Sequence, residues 1–198
     1  MKILHISDIH CDLETLCKVM RLENFDLVVV SGDIECVDVA ERLGELKGKL
    51  VAVTGNLDDI SIRRTLDKAG LLIDGRVKEV LGFKFAGIGG IDYRSDLAQL
   101  QAKAKGLDID VLVTHYPPKG VLDRTFMGVR IGLSDIKQLA LALRPSLHLF
   151  GHVHESRGVE RYGDRTIAVN PGPVRDGYYA VIKLERGLEP LVELKRVS

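Results

Sequence analysis

Oxygen- and nitrogen-donor side chains recur in this sequence directly after short apolar runs. Carboxylate, amide and imidazole donors without an accompanying cysteine motif suit divalent ions such as Mn²⁺, Fe²⁺, Co²⁺, Ni²⁺ or Zn²⁺. A set of this size exceeds the needs of one open catalytic ion, and it fits two ions about 3.5–4 Å apart that share a bridging carboxylate. We therefore predict a dinuclear metal site, although donors of these types do not by themselves choose among these ions. The donors are Asp8 and His10 in SDIH, Asp33 in SGD, Asn56 in TGN, His115 in VTHY, and His152 and His154 in GHVH.

Each of these residues also has an ordinary structural interpretation. Asp8 taken alone is a good helix N-cap, and Asp33 and Asn56 are typical turn residues. His115 fits a hydrogen-bonded core histidine, and the GHVH histidines fit a loop. Together these interpretations fail, because they require all the donors to reach the ends of successive strands by chance.

The elements that would carry these donors alternate between strands and helices. Residues 1–70 read as βαβαβα, which favours a parallel sheet with right-handed crossovers. Ligand sites in such sheets form beyond the carboxyl ends of the strands, so the donor-bearing strand ends point to one place. The predicted strands are 2–7, 26–31, 49–54, two within 76–90, 110–115 and 147–150, followed by hairpins at 158–169 and at 178–184 with 191–197; the predicted helices are 13–22, 37–46, 60–70, 94–106 and 135–143. We predict a layered α/β domain with two sheets.

The composition narrows the class of protein. A chain of 198 residues with 45% hydrophobic content fits one domain spanning 1–198. Lys and Arg total 28, as do Asp and Glu, so neither a basic nucleic-acid groove nor a polybasic membrane arm is indicated. The N-terminus does not resemble a signal peptide, and no apolar run is long enough to span a membrane. We expect a cytoplasmic protein. Its three cysteines, Cys11, Cys17 and Cys36, do not indicate a disulfide scaffold and are expected to be small buried residues. For Cys11, which follows His10, a supporting or redox-sensitive role is the alternative to burial.

The ordered pattern DIH, GD, GN, H and GHVH resembles the calcineurin-like metallophosphoesterase superfamily, and the NPGP turn at 170–173 is similar to its small phosphodiesterase members. The resemblance implies a four-layer αββα sandwich of two mixed sheets flanked by helices. It also implies in-line attack on phosphorus by a metal-bridging hydroxide, with a small phosphoester as substrate. The implied roles are Asp8, His10 and His154 on the first metal, Asp33 bridging both, and Asn56, His115 and His152 on the second, so that Asp33 and Asn56 belong to the catalytic centre.

Leu57 departs from the family pattern, in which many members carry a phosphate-binding, proton-donating His after the Asn. Leucine cannot donate a proton. This favours a phosphodiesterase over a phosphomonoesterase. The alternative is a weakly catalytic or non-catalytic scaffold for protein–protein interaction. A nuclease is disfavoured, because only 5% of residues are aromatic and no stacking platform is evident.

Other polar residues receive less specific predictions. His5 and His148 lie within apolar strands and are expected to be hydrogen-bonded core residues. Arg124 and Arg130, in the Gly-containing segment 120–132, either contact a substrate phosphate or are solvated. Asp58 and Asp59 either supply the proton that Leu57 cannot give or cap the helix that follows them, and capping is favoured. The strand-rich C-terminal third is compatible with a homo-oligomer.

Overall fold

The computed structural model describes residues 1–197 as two mixed sheets with helices on their outer faces. The strands are β1 (Lys2–Ile6), β2 (Leu27–Ser31), β3 (Leu50–Val53), β4 (Val77–Val80), β5 (Phe83–Ile88), β6 (Val111–Thr114), β7 (Leu147–Leu149), β8 (Gly158–Tyr162), β9 (Thr166–Asn170), β10 (Tyr178–Lys183) and β11 (Leu191–Arg196). The helices are α1 (Leu13–Leu22), α2 (Val37–Gly44), α3 (Ile60–Lys68), α4 (Tyr93–Lys103) and α5 (Ser134–Leu143), with short 3₁₀ turns at His154–Ser156 and Val174–Asp176. Every predicted strand and helix is present, with ends shifted by a few residues.

The two sheets share one plan, with parallel strands in the centre and antiparallel strands at the edges. The first sheet has the order β11-β10-β1-β2-β3, in which β1, β2 and β3 are parallel. The second has the order β4-β5-β6-β7-β9-β8, in which β5, β6, β7 and β9 are parallel. Both predicted C-terminal hairpins form, one in each sheet. The carboxyl ends of β1, β2 and β3 therefore lie side by side at one edge, as do those of β6 and β7.

Three apolar clusters separate the layers. Ile3 of β1 packs in the cluster between the sheets, whereas Leu4, its neighbour in sequence, packs in the cluster beneath α1 and α2. This alternation follows from the two-residue repeat of a strand. All five residues of β2 are buried, because both faces of a central parallel strand are covered. A third cluster fills the space between the second sheet and helices α4 and α5, which completes the predicted αββα order.

Among the described residues, no helix is long and apolar enough to cross a membrane.

His5 and His148 are fully buried and hydrogen-bonded, as predicted. The His5 Nε2 atom lies 2.9 Å from the hydroxyl of Ser31. His148 contacts the Thr114 hydroxyl through Nε2 at 2.9 Å and the Tyr162 hydroxyl through Nδ1 at 2.6 Å. Burial lowers the pKa of each imidazole to about 3, because desolvation disfavours the charged form.

We predict that His148→Gln weakens the acid sensitivity of the fold. The pKa of His148 falls from 6.5 to about 3 on burial. Below pH 6.5 the unfolded chain therefore binds a proton that the folded chain does not, and stability falls as the pH falls. This histidine should remove about 2 kcal/mol between pH 6.5 and pH 5. Urea unfolding across that range should give a shallower pH slope for the variant, whatever its absolute stability. Identical slopes would show that His148 does not contribute.

Candidate metal centre

The predicted donors meet at one edge of the two sheets, in two groups. The side chains of Asp8, His10 and His154 place one ligand atom each within 4.8 Å of one another, and those of Asp33, His115 and His152 do the same. These residues follow β1, β2, β6 and β7 in the chain. Asn56 follows β3, and its Oδ1 lies 2.8 Å from the Nε2 of His115. The structure thus brings together all the donors singled out from the sequence.

The first group is formed by the loop after β1 and the GHVH loop. The Nε2 atom of His154 lies 3.3 Å from the Oδ1 of Asp8 and 3.3 Å from the Nε2 of His10. The backbone N–H of His152 donates to both carboxylate oxygens of Asp8 at 3.2 Å. The Asp8 carboxylate therefore also fixes the position of the loop that carries two of the histidines.

The second group forms around His115, which is fully buried. Its Nδ1 atom donates to the backbone carbonyl of Ser31 at 2.9 Å. A carbonyl oxygen only accepts hydrogen bonds, so Nδ1 carries the proton and Nε2 is left for another contact. Nε2 faces the Oδ1 of Asn56 and lies 3.5 Å from the Oδ1 of Asp33. The His152 ring lies 5.0 Å from the His115 ring, centroid to centroid, in an edge-to-face arrangement.

The donor chemistry of both groups fits a borderline or hard divalent cation. Each group combines one carboxylate with two imidazoles, which is a ligand set common to Mn²⁺, Fe²⁺, Co²⁺ and Zn²⁺. In the first group two imidazole nitrogens face each other at 3.3 Å, and a cation between such lone pairs would satisfy both. The residues present therefore fit the ions that the sequence pattern predicts.

Burial and neighbouring charges perturb the acids and imidazoles of the site in different directions. Burial opposes ionisation of Asp8, but hydrogen bonding to His154 and the nearby imidazoles outweigh it and lower the pKa of Asp8 to about 2. Desolvation raises the pKa of Asp33, where the nearby charge of Asp8 adds to the effect. Desolvation also lowers the pKa of His152 to about 4, so this ring is neutral, as a metal ligand must be.

The site backbone is held in conformations that side chains seldom adopt. Positive φ angles occur at Asp8 (54°), His10 (48°), Asp33 (54°) and His152 (70°). Non-glycine residues in this region cost free energy and persist where the surrounding structure fixes them, commonly at functional sites. Two motif glycines serve close approach instead: a Cβ on Gly55 would overlap the Asp33 side chain and backbone, and one on Gly151 would overlap Ser7 and Asp8.

In the turn after β3, the neighbouring residues Asp58 and Asp59 make different contacts. Asp59 caps α3, as predicted, by accepting from the backbone N–H groups of Ser61 and Ile62. The same prediction for Asp58 is wrong, because Asp58 is buried and faces the other way. Its carboxylate accepts from the backbone N–H groups of Ile34 at 2.8 Å, Glu35 at 2.7 Å and Gly55 at 2.7 Å. Asp58 thus ties the loop carrying Asp33 to the loop carrying Asn56.

Leu57 supports the site through its backbone N–H, whereas its side chain is 56% exposed. The N–H of Leu57 donates to the Oδ1 of Asp33 at 3.0 Å. A residue of any type except proline can make this hydrogen bond. The leucine side chain therefore offers no proton donor at this position, and the hydrogen bond that supports Asp33 is kept.

The prediction that the cysteines are unpaired and buried is wrong for Cys11 and Cys36, whereas Cys17 is a free thiol, as predicted. Cys11 and Cys36 form a disulfide across 25 residues, with their Cα atoms 5.1 Å apart. Cys11 is exposed, whereas Cys36 and the free Cys17 are half-buried. The bond joins the loop after β1 to the loop after β2, next to His10 on one side and to Glu35 on the other. The low, odd number of cysteines gave no indication of this pair. Its formation depends on where the two loops meet in the fold, which the sequence does not show.

Arg124 and Arg130, for which the sequence left open a phosphate contact or a solvated position, are both exposed. Arg130 pairs with the buried Asp123 at 2.6 Å within its own loop, and Arg124 is exposed, with backbone hydrogen bonds to Ser156. Arg175, in the 3₁₀ turn after NPGP, brings its guanidinium to 3.5 Å from the Nδ1 of His154. The remaining ring at the site is Tyr116, whose centroid lies 4.8 Å from that of His152.

Comparison with known proteins decides the family. The family model of the calcineurin-like phosphoesterase superfamily domain matches residues 1–186. The chain belongs to this superfamily. One relative of this calcineurin-like phosphoesterase chain is the uncharacterized protein MJ1162 of Methanocaldococcus jannaschii. The two are 31% identical over an alignment of 199 positions, gaps included, which covers 87% of this chain and 88% of that protein.

Solved structures agree on the calcineurin-like phosphoesterase fold. TT1561 of Thermus thermophilus superposes with a TM-score of 0.77 at 18% identity, covering 98% of both chains. A structure described as a novel archaeal phosphodiesterase superposes with a TM-score of 0.63 at 20% identity, covering 98% of this chain and 100% of its own. At these identities the likeness establishes the fold alone. Membership of the metallophosphoesterase family implies divalent metal ions and phosphoester hydrolysis.

We predict that breaking the Cys11–Cys36 bond destabilises the fold. Closing a loop of 25 residues should contribute about 3 kcal/mol through the entropy of the unfolded chain. Urea unfolding of Cys11→Ser, and of the wild-type protein in dithiothreitol, should both show this loss. Cys17→Ser is the matched control and should behave as wild type in both conditions. A wild-type transition unchanged by reductant would contradict the prediction.

Proposed function

We propose that this calcineurin-like phosphoesterase is a dinuclear metal-dependent phosphodiesterase. The observation that carries the proposal is the juxtaposition of two ligand groups of the same chemistry, each one carboxylate and two imidazoles, at one sheet edge. A single group of three ligands would leave an open position for one catalytic ion, whereas two adjacent groups suit two ions that act together in an in-line displacement at phosphorus.

Within the proposal the chain's residues have distinct tasks. Two bound ions would supply positive charge for the phosphoryl oxygens and an activated water for attack on phosphorus. Mn²⁺ is favoured. Asp33 belongs to the second group, and its backbone carbonyl accepts from the N–H groups of Ile9 and His10 in the loop that carries the first group. We therefore assign its carboxylate to both ions. Asp8, His10 and His154 would hold the first ion, and Asn56, His115 and His152 the second.

Leu57 determines which leaving groups the site can expel. Its exposed side chain cannot give a proton to a departing alkoxide, so the reaction should favour leaving groups that are stable as anions. Aryl esters meet this requirement and alkyl esters do not. We infer the phosphodiesterase preference separately, because Leu57 also replaces the phosphate-binding His of many family members, and a diester carries less negative charge at phosphorus than a monoester dianion. The archaeal phosphodiesterase of the same fold is consistent with it, although its 20% identity carries no more than fold.

Arg175 supplies the remaining contact to the substrate in this proposal. Its guanidinium is exposed, lies beside His154, and forms no ion pair with a carboxylate among residues 1–197. An unpaired guanidinium presents several N–H donors to phosphate oxygens. We assign it to the phosphoryl group at the rim of the site.

A scaffold that only binds other proteins remains the alternative function. Such a protein has no physical need for seven converging metal donors, and nothing in the described part of the chain specifically favours it. The activity test below separates the two.

The proposal predicts that metal-loaded protein hydrolyses bis-aryl phosphodiesters faster than alkyl monoesters. It also predicts that Asp33→Asn reduces the rate by about 100-fold or more, which is the scale of loss when one preorganised electrostatic group is removed from a reacting centre. The reason is that the amide removes the negative charge assigned to both ions. Elemental analysis after loading with Mn²⁺ or Ni²⁺ should find about two ions per wild-type chain. The matched control is Asp59→Asn, since asparagine also caps helices well, and it should retain the wild-type rate. A wild-type protein that binds no metal and shows no activity would overturn the proposal in favour of a scaffold.

For Arg175 we predict that Arg175→Ala raises the KM for diesters about tenfold, a loss of roughly 1.4 kcal/mol, and that Arg175→Lys recovers part of it. Metal content should stay at the wild-type value, because Arg175 is not a ligand. Arg161→Ala is the control: this arginine, on β8, pairs with Glu189, and its loss should leave the KM unchanged. An unaltered KM in Arg175→Ala would remove Arg175 from the substrate site.

A further inference from the structure

Glu35 makes the shortest side-chain contact to any of the ligand histidines. Its Oε1 lies 2.5 Å from the Nδ1 of His10. The other ring nitrogen of His10, Nε2, faces His154 in the first ligand group. The carboxylate is 29% exposed and the His10 side chain 9% exposed, so the contact lies at the edge of the site and is largely shielded from solvent.

This contact fixes which nitrogen of His10 carries the proton. A carboxylate accepts hydrogen bonds, so Nδ1 is the protonated atom and Nε2 keeps its lone pair for the ligand group. His115 is arranged in the same way, with the Ser31 carbonyl in the place of the carboxylate. The two groups therefore each contain a histidine oriented from behind, His10 by a carboxylate side chain and His115 by a backbone carbonyl.

Glu35 is itself held firmly in place. Its backbone N–H donates to the Asp58 carboxylate, and its φ of 64° places it in the left-handed region. The following residue, Cys36, is bonded to Cys11, which follows His10. The two partners are thus each adjacent in sequence to one half of a disulfide. Across residues 1–197 no Lys or Arg pairs with Glu35, and its carboxylate hydrogen-bonds to His10 alone.

We infer that Glu35 is a positioning residue for the first metal, which sets the tautomer and ring orientation of His10 through the contact to Nδ1. This inference rests on the proposed metal centre. Carboxylates that hold a ligand histidine from behind typically raise metal affinity by about 10- to 100-fold. The effect should fall on the first ion, because the second group does not include His10.

The test compares wild type with Glu35→Ala and Glu35→Gln by titration with Mn²⁺ and Zn²⁺ in a calorimeter. Glu35→Ala should weaken one of the two binding steps about 10- to 100-fold and leave the other unchanged. Glu35→Gln, whose amide oxygen still accepts a hydrogen bond, should recover part of the loss. The control is Glu45→Ala, which removes an exposed carboxylate paired with Arg42. Thermal unfolding confirms that each variant is folded.

A second readout needs no metal. In the metal-free protein at about pH 8, where an ordinary imidazole is neutral, long-range ¹H–¹⁵N spectra report which ring nitrogen of His10 is protonated. Wild type should show protonated Nδ1, and Glu35→Ala should shift His10 toward protonated Nε2, while His115 remains unchanged. Unaltered tautomer or unaltered metal affinity in folded Glu35→Ala would overturn the inference. A wild-type protein that binds no metal overturns the proposed function, and the tautomer of His10 then decides the role of Glu35 by itself.

Discussion

The backbone pairing between the loop after β1 and the loop after β2 is the constraint on which the metal centre depends. Beyond the last residues of the two strands, Asp8 N–H donates to the carbonyl of Gly32 at 3.0 Å, and both Ile9 and His10 donate to the carbonyl of Asp33. The parallel register of the sheet therefore continues into the loops. Because the two loops keep the register of the paired strands, the side chains of Asp8, His10 and Asp33 lie at the same level beyond the sheet edge and close to one another.

Two further links extend this constraint to the other loops. The Asp58 carboxylate gathers three backbone N–H groups from the loops after β2 and β3, and the Asp8 carboxylate receives the backbone N–H of His152. Each link uses an acid to hold backbone that the sheets cannot reach. Removing one such acid would leave buried N–H groups without partners, which costs more than the hydrogen bonds themselves contribute. The positive φ angles at the ligands persist because these contacts hold the backbone there.

The fold and the donors can be predicted from the sequence because both follow from patterns of neighbouring residues. The contacts between loops cannot be predicted in this way, because they join residues that are distant in the sequence. Continuous apolar runs mark buried parallel strands, and a polar residue just past such a run, such as Asn56 or His115, lies at the sheet edge whatever the details of the loop. Asp59 is equally predictable, since an N-cap acts within three residues of its own position. Asp58 has the residue type and place of a cap, yet it turns toward the preceding loop because three unpaired N–H groups lie there. Glu35 follows Asp33 by two residues, and that spacing is the one available hint of its contact to a ligand histidine.

Leu57 shows why a site of this kind can change its chemistry without changing its fold. The backbone N–H at this position supports Asp33, and the exposed side chain takes no part in that support. A proton-donating residue and a leucine are therefore equivalent for the structure and differ only in what they offer to a leaving group. Hydrogen bonds between the loops hold the seven donors together, whereas the Leu57 side chain is 56% exposed and takes no part in holding them. Under the proposed function, the residue at the rim would therefore set substrate preference, and the loops beneath it would set metal binding.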